Sequence, residues 1–300
     1  MTLLNAVVQG LFLGSLYALL ATGLSLIFGV MRIINLAQGD LAILGAYLTW
    51  QVCTSFGVSP FLAILIVIPI MFAVGYLLQR SVLARSLRGG ELTPLLTTFG
   101  ISIVLQNLFL QVYSPDSRGL GAYAGAVATG SWTITSQLSI PFLGVVVLLV
   151  ALVVLGGLQW MLSSTAFGRE MRATAQDPDT AGLVGIPAAS IYARATAIAV
   201  ASAGLAGAFL AMRTTFSPIS GPTQLIFAFE AVVIGGLGSL WGTLWGGIVL
   251  GISQTVGAEL LGPAWFVLTG HLVFLVVLVT PRFRQLLTRR RRVVPREAMA

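Results

Sequence analysis

The chain has 300 residues, 57% hydrophobic and 8% charged, with a mean hydropathy of +0.98 and a net charge of +7. No soluble domain of this size has that composition, so it reads as an all-α polytopic membrane protein; its apolar runs are continuous, which excludes a transmembrane barrel. All sixteen basic residues are arginine, which excludes a P-loop lysine and Schiff-base chemistry. His271 and Cys53 are each the single residue of their type, too few for a metal centre or a Cys/His couple. No catalytic, cofactor-binding or metal-ligating set is therefore expected.

The first charged side chain is Arg32, so the basic region of a signal peptide is missing and the apolar run at 5–29 is expected to persist as a span. Residues 23–48 then mix glycines with Arg32, Asn35, Gln38 and Asp40 among aliphatic side chains. Close helix packing is one reading of the glycines. The ionisable groups point the other way, since they are costly at membrane depth unless they face a cavity or a partner. Further spans follow near 37–56, 60–79, 94–113 and 141–162. Arg80, Arg85 and Arg88 mark the loop after the third run as cytoplasmic. Residues 114–140 carry only Asp116 and Arg118 and read as extracytoplasmic.

Residues 163–190, SSTAFGREMRATAQDPDTAGLVGIPAAS, form a polar interval between two membrane-length runs. Gly168, Arg169 and Arg172 open a helical pattern that Asp177-Pro178-Asp179 stops and restarts, because aspartate caps a helix and proline suits its first turn. Gly185 and Pro187 end the second piece. A solvated connector and a docking element for another protein are both open readings.

Spans resume at 191–212, 225–258 and 264–280. The 225–258 run holds Glu230 and a glycine turn, Gly235, Gly236, Gly238 and Ser239, that mirrors the earlier glycine-interrupted segment; one such segment in each half is the pattern of broken or re-entrant helices around a pathway. Seven arginines in the last twenty residues, Arg282, Arg284, Arg289 to Arg292 and Arg296, place the C-terminus inside. Splitting 225–258 at its glycines gives nine membrane segments rather than eight and satisfies that sign. The whole is read as one membrane domain over residues 1–280, with the 163–190 loop cytoplasmic and an arginine-rich tail at 281–300.

Three stretches resemble, in order and spacing, LivH-type permeases of branched-chain amino acid ABC transporters. GLSLIFGVMRIINLAQGDLAILGAY resembles their early signature, GREMRATAQDPDTAGLVGI their cytoplasmic coupling loop and EAVVIGGLGSLWGTLWGGIVLG their late glycine motif, so the likeness covers about residues 5–280. Within the loop, Asp179-Thr180-Ala181 followed by Gly185 is similar to a degenerate EAA motif, which favours docking over the connector reading. The resemblance implies a transport subunit with no ATPase site and no cofactor of its own, ATP being used by partners. Those partners would be a second permease subunit, two cytoplasmic ATP-binding subunits and an extracytoplasmic substrate-binding protein. The setting would be a bacterial-type inner membrane. Gly168, Arg169, Arg172, Asp177, Asp179, Ala181 and Gly185 are the expected coupling residues. Asn35, Gln38, Asp40, Glu230, Gly235, Gly236, Gly238 and Ser239 are the expected pathway residues, with the four polar ones approaching one another.

The chain departs from that pattern at Gln38, where relatives often carry histidine, at Phe227, where some carry lysine, and at Glu230, where some lack an acid. Branched-chain or related hydrophobic amino acids are the expected cargo, with amides and urea also within the wider family. The alternative is a self-sufficient secondary carrier that binds a coupling ion at Asp40 and Glu230.

Overall fold

A computed structural model of the chain describes residues 3–90, 92–135 and 138–290. Eleven principal helices follow one another: α1 (Leu3–Met31), α2 (Gln38–Phe56), α3 (Pro60–Ser86, with a π-helical turn at Gln79–Leu83), α4 (Leu92–Tyr113), α5 (Phe142–Ser164), α6 (Ala166–Gln176), α7 (Pro178–Leu183), α8 (Ala188–Arg213), α9 (Gly221–Gly235), α10 (Leu240–Leu261) and α11 (Phe266–Arg290). Among the described residues, seven helices are long and apolar enough to cross a membrane: α1, α3, α4, α5, α8, α10 and the Pro263–Thr280 stretch that includes most of α11's apolar part. The other two apolar elements, α2 with 19 residues and α9 with 15, are the ones that carry the polar side chains singled out above. Backbone of the 281–290 tail segment continues α11, while Arg291, Arg292 and Arg296 lie outside the described residues.

Two helices, α1 and α8, form the centre, and both are buried along most of their length. Lipid tails give no hydrophobic reason for helices to associate, so contact relies on small residues that let backbones approach. Gly10 and Gly14 of α1 lie against Gly247 and Gly251 of α10, so that a Cβ on any of the four would strike the facing backbone. Gly204 and Gly207 of α8 receive Gly45 and Ala42 of α2 in the same way. Gly75 of α3 rests on Thr196, Ala197 and Val200 of α8. The outward faces of α3, α4, α5 and α11 carry the exposed aliphatic side chains.

Helices α1 and α8 run antiparallel, since Leu26, Ile27 and Val30 cluster with Ile191, Ala195 and Ala199. The end of α1 and the start of α8 therefore share one face, and the end of α8 lies at the other. Each long helix is followed by a break and then a shorter helix. Helix α1 stops where Arg32 takes a left-handed backbone (φ 54°) and its N–H bonds Phe28 O at 2.9 Å. Its continuation, α2, begins beside Gly23 and Ala199, deep in both central helices. From the opposite face, residues 214–220 lead from α8 into α9, whose Gly221 touches Gly39 of α2. Two broken helices thus enter from opposite faces and meet at their first turns. The sequence echoes this, with Met31-Arg32 before Gln38-Gly39 and Met212-Arg213 before Ser220-Gly221.

At the far end from α6 and α7, a hairpin of β1 (Ser131–Thr135) and β2 (Leu138–Pro141) precedes α5. Gln9 ties it to α1 by donating from Nε2 to Ser139 O at 3.0 Å.

Candidate functional site

Irregular backbone inside a membrane protein must find its hydrogen bonds in protein. Before α2 that need is met by side chains: Leu36 N–H donates to Thr98 Oγ1 at 3.1 Å and Ala37 N–H to Asn35 Oδ1 at 3.0 Å. Asn35 also donates from Nδ2 to Gln38 Oε1 at 3.4 Å, and Gln38 Nε2 donates to Ala199 O at 3.2 Å. Asn35 and Gln38 therefore act as one unit that holds the break open against α8.

Asp40, only 1% exposed, lies in the first turn of α2, two residues after Gln38, and faces α4. Its Oδ2 accepts from Ser102 Oγ and, at 3.3 Å, from Gln106 Nε2. Its Oδ1 has no hydrogen-bond partner and points at the first turn of α9, where a Cβ on Gly221 would collide with it. Gln224 Oε1 on α9 is likewise buried without a bond. Ser102 and Gln106 were not expected from the sequence, although two polar side chains four apart in an apolar helix mark one face of α4.

Glu230 stands apart from this group. It is nine residues along α9 from Gly221, a separation of about 13 Å at the helical rise. Its Oε1 meets Nδ1 of His271 on α11, while Oε2 is buried without a bond. Phe227 lies between, tilted against Tyr17 at 5.0 Å and stacked on His271 at 6.4 Å, and the Tyr17 hydroxyl donates to Gln254 Oε1 at 2.8 Å. Asn35, Gln38 and Asp40 are thus grouped at the meeting of α2 and α9, and Glu230 belongs to a second polar cluster with α11. Arg32 pairs with neither carboxylate; it lines a crevice with Leu87, Gly90 and Leu92.

The glycine turn lies elsewhere again. Gly236 and Gly238 have φ of 94° and 83°, which only glycine adopts without strain, and they reverse the chain between α9 and α10. Gly235 meets Gly242, Gly238 meets Gly29 near the end of α1, and Ser239 caps α10 by accepting from Gly242 N–H at 3.1 Å.

The polar interval folds as a helix–turn–helix. Thr165 caps α6 by accepting from Gly168 N–H at 3.0 Å, and Gly168 is pressed against the backbone of Met161 and Leu162. Asp177 caps α7, with Oδ1 accepting from Asp179 N–H at 3.0 Å and Thr180 N–H at 3.1 Å, and Oδ2 from Thr180 Oγ1 at 2.6 Å. The Thr180 hydroxyl, then the backbone N–H of Thr180 and of Asp179, hold the Asp177 carboxyl below the usual carboxylate range. Met171, Thr174 and Ala181 turn inward. Arg169, Arg172, Asp177, Asp179 and Gly185 are exposed, and Gly185 turns the chain back with φ of 85°. Beside them Leu183 is 88% exposed and Val184 74%. Sequence patterning passed over these two, because short apolar residues at a helix end look like ordinary membrane-facing side chains.

Long apolar helices, with two broken helices whose shorter parts meet inside the bundle, give the chain the architecture of a polytopic membrane protein. Within that class the chain belongs to the family described as branched-chain amino acid transport system / permease component, whose model matches residues 6–280. It is 30% identical over 289 residues to the high-affinity branched-chain amino acid transport system permease protein BraD of Pseudomonas aeruginosa, covering 93% of this chain and 94% of that one. Similarity to the LivH permease of Escherichia coli K12 is 29% over 292 residues, with the same coverage of each chain. A probable LivH permease of Methanocaldococcus jannaschii is 28% identical over 281 residues, covering 88% and 85%. No solved structure matches the chain.

Proposed function

We propose that this chain is the membrane-spanning permease subunit of an ABC importer for branched-chain or related hydrophobic amino acids. Its relatives' names supply the cargo class. Its partners would be a second permease subunit, two cytoplasmic ATP-binding subunits and an extracytoplasmic substrate-binding protein, in a bacterial-type inner membrane with the C-terminus cytoplasmic. The observation that carries the reading is the helix pair α6–α7, which leaves Leu183 and Val184 uncovered. A solvated connector gains nothing from two exposed aliphatic side chains, whereas a docking element needs them at its contact. Arg169 adds a rigid fork of donors suited to a partner's carboxylate or carbonyl groups.

In this mechanism ATP hydrolysis on the partners moves α6–α7, and the push reaches α1 and α8 through Met171 and its neighbours Leu26 and Ile191. Because α2 and α9 enter from opposite faces, rocking of one half against the other opens the junction of their first turns to each face alternately. Asn35, Gln38 and Asp40 supply hydrogen-bonding groups there for a zwitterionic cargo, and Glu230 with His271 forms a second polar station. Gly235, Gly236, Gly238 and Ser239 act as the turn about which α9 and α10 are set. A self-sufficient carrier would gather Asp40 and Glu230 round one ion; their separate partners favour the ABC reading. Affinity purification of the tagged chain followed by mass spectrometry of the intact complex tests it. The expected result is an ATP-binding subunit and a second permease in one assembly. Recovery of this chain alone, with leucine uptake driven by an ion gradient, would overturn the reading.

A further inference from the structure

A cavity of about 430 Å³ lies between α6 and the transmembrane bundle, beside their contact at Met171. Its walls come from α1 (Ser25, Leu26, Gly29, Val30), α5 (Gln159, Leu162, Ser163), α6 (Met171, Arg172, Ala175), the α9–α10 turn (Gly238) and the start of α10 (Leu240). That volume lies within the range of small-molecule sites. Its chemistry is divided. Leu26, Val30, Leu162, Met171 and Leu240 supply apolar wall, whereas Ser25, 1% exposed, has a hydroxyl with no hydrogen-bond partner. Among the described residues, Gln159 and Arg172 also make no hydrogen bond or ion pair. A buried hydroxyl left unbonded costs free energy that a ligand or water recovers.

We propose that this cavity is a second binding site, for a hydrophobic amino acid on the coupling-loop side, through which accumulated cargo restrains α6 and slows further import. The inference rests on the transport reading above. The Arg172 guanidinium at the exposed rim takes the ligand's carboxylate, the Ser25 hydroxyl and the Gln159 carbonyl take its ammonium group, and the aliphatic walls take its side chain. A ligand held this way bridges α6, α1 and the α9–α10 turn, the parts whose relative movement the mechanism requires. An anionic phospholipid fits less well: its head would meet Arg172, but its tails would leave Ser25 and Gln159 against hydrocarbon.

The test uses the complete complex in liposomes, with ATP and unlabelled L-leucine inside and binding protein with labelled L-leucine outside. Internal leucine is expected to lower both initial uptake and ATP hydrolysis severalfold, and internal leucine amide, which lacks the carboxylate, to have little effect. Ser25→Ala and Gln159→Leu complexes should match the native rate without internal leucine and lose most of the inhibition. Normal transport with no inhibition, or with equal inhibition in native and variant complexes, overturns the inference while leaving the transport reading intact. A complex with no ATP-driven uptake removes both. Tightly held anionic phospholipid, lost in both variants while internal leucine has no effect, would assign the cavity to lipid instead.

Discussion

Gly221 and Asp40 meet where the first turns of α2 and α9 touch. A methyl group at Gly221 collides with the carboxylate, so Gly221→Ala must shift one broken helix against the other. Overpacking of this kind costs about 1–3 kcal/mol. Flux should fall severalfold with normal membrane insertion. Equal flux in the native chain and Gly221→Ala, measured in vesicles, would mean that the contact is not part of the working pathway. Asn35→Ala removes the acceptor for Ala37 N–H and leaves that buried donor unpaired, a loss of about 1–3 kcal/mol. It should lower transport while the ATPase stays attached. Single cysteines at positions 35, 38, 40 and 230, on a Cys53→Ser background, test water access; labelling of none by a small polar thiol reagent in any nucleotide state would contradict the pathway assignment.

At the scale of elements, the helix pair α6–α7 carries the most exposed prediction. If Leu183 is buried on docking, its side chain contributes about 1.5–3 kcal/mol, so Leu183→Ser should weaken ATPase retention at least tenfold. Arg169→Ala should act in the same direction through a lost charged contact of about 2–5 kcal/mol. Pull-down from detergent measures both, and full retention in the double variant would contradict docking. The Asp177 cap adds a pH dependence. Its carboxyl is held below the ordinary range in the folded chain, so its support for α7 is complete above that range and is lost as the pH falls through the depressed value. Faster amide exchange at Asp179 and Thr180 in acid, abolished by Asp177→Asn, is the expected signature.

Much of this element was legible beforehand. Asp177-Pro178 announces a cap and a first turn, and the observed boundary falls there because both signals are local. The division of 225–258 was readable for the same reason, since Gly236 and Gly238 fill backbone positions that other residues resist. What escaped was whatever depends on distant helices. Asp40 and Glu230 look alike in sequence, as acids in glycine-rich apolar segments. Only the fold assigns one to Ser102 and Gln106 on α4 and the other to His271 on α11. The proximity expected among all four polar residues holds for the α2 group and does not extend to Glu230.

At the scale of the whole molecule, two broken helices entering from opposite faces give the bundle a pseudo-symmetric frame, with α1 and α8 as its central members. Orientation then decides which face meets the ATPase. A reporter fused after Ala300 should read as cytoplasmic and one inserted near Gly125 as extracytoplasmic, and neutralising Arg289 to Arg292 should weaken that bias more than neutralising Arg118. The most direct measurement is uptake of labelled leucine into vesicles that carry this chain with its second permease, both ATPases and the binding protein. Uptake is predicted to require internal ATP and external binding protein together, to persist when ion gradients are collapsed, and to be lost with Leu183→Ser. Uptake that proceeds without ATP and follows an imposed proton or sodium gradient would contradict the account.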